Sequence, residues 1–72
     1  MRIEITKGLV LLTQTNRDNS KLQTLFPAGE YDANLTSDGN IEVVSKEKIS
    51  AFFSFSQFRE KVSQGEFVVV KN

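Results

Sequence analysis

Ile49-Ser50-Ala51-Phe52-Phe53-Ser54-Phe55-Ser56-Gln57-Phe58 holds four of the six phenylalanines in this chain. Its reading decides the fold. Ile49 to Phe53 reads as a short strand. Ser54 then has the marks of a helix N-cap: its hydroxyl can accept from a free first-turn N–H, and Gln57 stands three residues on, as a capping box requires. Phe53 and Phe58 occupy the two positions of a hydrophobic staple. Phe55, Phe58 and Val62 fall on one helical stripe, with Arg59, Glu60 and Lys61 away from it, so Phe53, Phe55 and Phe58 are expected to turn inward. Phe52 then points to the other face of its strand.

Outward from this stretch the pattern is β. Gly65 stands where a helix commonly ends, and Glu66 to Lys71 follows as a β-branched strand. Upstream, Ile41 to Ser45 and Glu30 to Leu35 flank Asp38-Gly39, a strong hairpin signal. In the earlier strand Tyr31, Ala33 and Leu35 are expected to face the core. Lys21 to Phe26 is a further strand, ended by Pro27-Ala28-Gly29. Gln14 to Ser20 has no apolar residue and reads as the longest loop. Leu9 to Thr13 is apolar on both faces at first, which predicts a central strand or one covered on both sides. Arg2 to Thr6 alternates, and Lys7-Gly8 predicts a tight turn to the next strand. The expected fold is mainly β (α+β): a small antiparallel, partly open barrel or curled sheet, with one short helix before the last strand. Residues 1–72 are expected to form one domain.

Composition narrows the chemistry. A chain of 72 residues buries only about 60% of the surface its unfolded form exposes, which bounds its stability at about 5 kcal/mol. There is no Cys and no His, which removes disulfides, the usual zinc sites and Ser–His or Cys–His nucleophiles. Glu30 and Asp32 share a strand face with Glu42 across from them, but that face should be open to water, where carboxylates keep ordinary properties. Asp38 to Glu42 lacks the full ligand set of a calcium loop. The glycines are isolated, so no phosphate-cradling loop exists. No catalytic residue, metal site or cofactor is expected, and the chain reads as not an enzyme.

Net charge is zero, which argues against a dedicated DNA-coating protein. The charge is unevenly placed: residues 23–45 carry only acids, and basic residues are in excess on either side. Leu9 to Leu12 is too short for a signal h-region or a membrane span, and the lack of Cys fits a reducing compartment. A cytoplasmic setting without membrane contact is therefore expected.

What remains is a surface grip. Phe52, with Val68 or Val70 beside it and Lys48 and Arg59 at the rim, has the composition that anchors protein interfaces. A protein partner is the first expectation, with the chain acting as inhibitor or adaptor. The last strand offers a second route, a homodimer through its open edge. Single-stranded DNA or RNA is the alternative partner, stacked on the same aromatics beside Lys46, Lys48, Arg59 and Lys61. In size, in lack of reactive residues and in compact β pattern the chain resembles small accessory proteins of phages and mobile elements, a resemblance of style that rests on no motif.

Overall fold

A computed structural model describes residues 1–14 and 21–71, with backbone alone at 14, 21 and 22. The expected long loop falls mostly outside the described residues. Among them the elements run β1 (Arg2–Ile5), β2 (Leu9–Gln14), β3 (Lys21–Phe26), β4 (Gly29–Leu35), β5 (Ile41–Val44), β6 (Ser50–Phe53), α1 (Phe55–Ser63) and β7 (Phe67–Lys71). All strands join one antiparallel sheet in the order β3-β2-β6-β5-β4-β1-β7. The sheet curls and does not close.

Two contacts show the curl. Phe53 on β6 and Phe67 on β7 meet edge to face, with ring centroids 5.5 Å apart, although β5, β4 and β1 lie between their strands in the sheet. Phe26 on β3 meets Tyr31 of β4 in a tilted contact with ring centroids 5.4 Å apart, and the Tyr31 hydroxyl donates to the Pro27 carbonyl at 2.6 Å. Strands several places apart can touch only if the sheet bends round an interior. That interior holds Ile3, Ile5, Leu11, Phe26, Ala33, Ile41, Val43, Ala51, Phe53, Phe58 and Phe67. Thr13 is the one buried polar side chain among the described residues, and its hydroxyl bonds that of Thr24 at 2.8 Å.

The strand-to-helix switch follows from local chemistry. The Gln57 N–H donates to Ser54 Oγ at 3.1 Å, and the Ser54 N–H donates to Gln57 Oε1 at 3.0 Å, so the capping box is complete. At the other end Gly65 takes φ 78°. Its N–H reaches the Val62 carbonyl and that of Glu66 reaches Lys61, both at 3.0 Å, a Schellman ending. The salt bridge from Lys61 Nζ to Glu66 Oε1, 3.0 Å long, ties the same two turns together. The chain therefore leaves α1 directly into β7.

Several expectations are corrected. Lys7-Gly8 makes no hairpin: β1 pairs with β4 and β7, whereas β2 pairs with β3 and β6. Instead Thr6 is bound to the helix exit, its N–H and hydroxyl donating to the carbonyls of Glu66 and Gly65 at 3.0 and 2.8 Å. β2 is an inner strand between β3 and β6, as expected, but it is buried on one face only, since Val10 and Leu12 are exposed. Leu35 is exposed at the hairpin end, beside the Thr36–Asn40 turn. Of the helical stripe only Phe58 is buried, against Phe67 at 5.6 Å, while Phe55 and Val62 face water. A helix of nine residues lying against β6 and β7 offers the core little more than one ring.

The β5–β6 hairpin turns through Lys46, Glu47 and Lys48. Ser45 N–H donates to the Ile49 carbonyl at 2.9 Å, and Lys48 N–H to the Ser45 carbonyl at 3.0 Å. Lys48 closes this turn at φ 65°, the left-handed position that such three-residue loops require and that side chains other than glycine occupy at a cost. Lys48→Gly is expected to raise the denaturation midpoint, by up to about 1 kcal/mol of stability; an unchanged or lower midpoint would mean the lysine has compensating contacts. Phe67→Ala removes a fully buried ring and should cost about 3–5 kcal/mol, enough to unfold most of the population, as far- and near-UV circular dichroism would report.

Candidate functional site

The outer face of the sheet can be read from its register, because residues directly opposite each other in neighbouring strands share a face. On β2 and β3, Val10 lies across from Leu25 and Leu12 across from Gln23. Their neighbours Leu11 and Phe26 supply the core side of the same two strands. On β6, Phe52 lies across from Glu42 of β5. Val10 and Leu12 are each 63% exposed, Leu25 61% and Phe52 45%.

Phe52, Val10 and Leu12 come together in a cleft of about 300 Å³ between β2, β6 and α1. The helix contributes Gln57, Glu60, Lys61 and Gln64 to its wall, positions that recur every three or four residues and so form one face of the helix. Lys61 is held by Glu66, with both side chains partly buried. Glu60 receives only the Gln64 side-chain amide, at 3.4 Å. On the other side of Phe52, Glu42 accepts a 2.6 Å bond from the Ser50 hydroxyl.

The residues expected around Phe52 are distributed differently. Lys48, in the β5–β6 turn, lines a separate depression with Arg2, Glu30, Asp32 and Lys46. Arg59 sits on α1 but not among the residues of the Phe52 cleft; at two residues from Gln57 it projects from another side of the helix. Val68 and Val70 lie on β7, separated from β6 by β5, β4 and β1 in the sheet order, and are 43% and 49% exposed. Val70 falls in the register shift where Arg2 pairs with Lys71 and Ile3 with Val69. Phe52 is thus rimmed by Glu42, Glu60 and the already paired Lys61.

Val10, Leu12 and Leu25 were missed as surface residues. For Val10 and Leu12 the signal was the run apolar on both faces at Leu9 to Leu12, which points to a strand covered on both sides as readily as to one with a bare outer face.

Other ionisable groups among the described residues lie in surface pairs and turns. Arg2 spans Asp32 at 3.1 Å and Glu30 at 3.6 Å on an exposed face, where such pairs contribute little to stability. The Thr36 hydroxyl donates to the Asp38 carboxylate within the β4–β5 turn and holds that carboxyl below its ordinary range. Burial, with the Glu47 carboxylate adding to it, pushes the Tyr31 phenol up. No group of three or more metal-ligating side chains gathers among the described residues, and no described helix is long and apolar enough to cross a membrane.

No protein-family model, no curated protein and no solved structure matches the chain.

Proposed function

We propose that this chain is a non-enzymatic binding protein that acts by protein–protein contact, as an inhibitor or adaptor, and grips its partner through Phe52 and the apolar side chains beside it. The supporting observation is the cluster of Val10, Leu12, Leu25 and Phe52 on one outer face, each left largely or nearly half exposed. Scattered apolar residues are ordinary on a surface, whereas a contiguous patch rimmed by polar groups marks an interaction site. Here the centre is aromatic and aliphatic, and the charge stands at the edge, as in protein interfaces.

The rim separates this reading from the alternative. A single-stranded nucleic acid stacked on Phe52 would bring phosphates towards Glu42 and Glu60, which repel them, while Lys48 and Arg59 line other surfaces. A homodimer has its own support in β7, an edge strand whose Val68, Val69 and Val70 are 40–49% exposed. A cytoplasmic setting suits a chain with no Cys.

Affinity capture from the native cell tests the reading. Wild-type protein and Lys48→Glu should retain the same partner at moderate salt. Phe52→Ala should keep its circular dichroism spectrum and lose that partner, with at least about 2 kcal/mol of binding removed if the ring is an anchor. Retention by Phe52→Ala would sink the proposal. Capture of an oligonucleotide that weakens steeply with salt would favour the nucleic-acid reading instead.

A further inference from the structure

The ladder between β2 and β6 stops early. Thr13 faces Ala51 and Gln14 faces Ser50, and there the pairing ends, although β2 extends back to Leu9 and β6 on to Phe53. Continued in register, Leu12 would face Phe52 and Leu11 would face Phe53. Instead the strands part, and the cleft of about 300 Å³ opens between them with α1 as its far wall. β6 ends at Phe53, where the helix capped by Ser54 begins, while β2 extends back to Leu9.

This leaves a backbone edge bare. In an antiparallel sheet an inner strand offers its N–H and C=O groups alternately to its two neighbours. β3 takes one set from Leu9–Leu12. Among the described residues no strand pairs with the other set. Such an edge is the template on which an extended chain adds as a further strand.

We infer that this wedge receives an extended peptide segment of a partner protein, added against β2 along Leu9–Leu12, with apolar side chains at alternate positions and a net positive charge. The inference rests on the protein-binding reading above and specifies its mode and the chemistry of the partner. Alternation follows from strand geometry: every second side chain of an added strand lies on the outer face, where Val10, Leu12 and Phe52 present apolar surface. The charge follows from the walls. Lys61 is neutralised by Glu66. Glu60, the other charged side chain of the wall, has no cation against it among the described residues, and its partner is the neutral amide of Gln64. A lysine or arginine on the incoming strand complements it, and an acidic strand is repelled.

A displayed library of random dodecapeptides, selected on the immobilised full chain, supplies the probe. Enriched peptides should be basic and alternate apolar residues. Their ¹⁵N-resolved amide shifts should centre on Leu9–Leu12 and Phe52–Phe53. N-methylation of the peptide's β2-facing amides should weaken binding by about tenfold or more, since it removes the ladder donors and leaves the side chains. Glu60→Lys, a change at an exposed position, should weaken basic peptides by about tenfold and shift the selection towards acidic ones. The inference is overturned by no enrichment, by acidic winners, by shifts centred on β7, or by N-methylated peptides that bind as well as their parents. It is equally overturned if light scattering shows the wedge filled by β7 of a second copy, as growth with concentration that Val69→Lys abolishes. If the peptides miss the wedge while Phe52→Ala still loses its captured partner, strand addition falls and the protein-binding reading stands. If they enter the wedge while capture ignores Phe52, the reverse holds.

Discussion

The molecule depends on the contact of Phe67 with Phe53 and Phe58. These rings stand at 5.5 and 5.6 Å from it, and they tie the last strand to the strand and helix that precede it. A sheet twists of itself, but the curl that brings β7 back over β6 is held only if the side chains that meet there gain by it. Phe67 supplies that gain by burying a whole aromatic side chain, on the order of 2–3 kcal/mol of apolar transfer. With no disulfide available, and with a backbone and side-chain entropy cost that grows with every ordered residue, a few such rings decide whether the curl holds. The helix contributes by geometry more than by area. It carries Phe58 inward, and its Schellman ending sets the direction in which Phe67 enters.

A sheet that curls without closing leaves edges, and the edges here are unequal. β3 and β7 end the order. β7 carries a register shift between Arg2 and Ile3, and bulges of this kind twist an edge away from flat pairing. The bare stretch of β2 has no such device. It lies inside the sheet order, next to a strand that departs into a helix, and apolar side chains stand on both of its faces. The switch from strand to helix at Ser54 carries Phe58 into the core and sets α1 as one wall of the cleft beside Phe52.

Much of this was legible in the sequence wherever a local signal carried physical weight. The capping box at Ser54 and Gln57, the glycine that ends α1, and Asp38-Gly39 in the β4–β5 turn each fix backbone dihedrals by local hydrogen bonds, and each is found where the pattern put it. Which strands pair was not legible. Lys7-Gly8 looks like a hairpin turn, yet Gly8 does not take positive φ, and β1 finds its neighbours at residues 29–32 and 67–71. Nothing local distinguishes a turn that folds back from one that crosses over. The site was half legible for the same reason. Phe52 follows from period two beside a buried Phe53. Its neighbours are set by the order of strands, so Val68 and Val70 were grouped with it and Val10 and Leu12 were not.

The outer residues of β2 and β3 carry a final physical constraint. Leu11, Thr13 and Phe26 already supply these strands' share of the interior. Polar β-formers such as threonine at positions 10, 12 and 25 would satisfy the same pairing and propensity, and they would lower the tendency of a small neutral protein to associate. The fold therefore places no demand for Val10, Leu12 or Leu25 to be apolar, and solubility weighs against it. Folding accounts for Phe53, Phe58 and Phe67. It does not account for a second apolar surface on the far side of the same strands, and that surplus lies beside a stretch of β2 that no strand pairs among the described residues, which is what the proposed binding reading draws on.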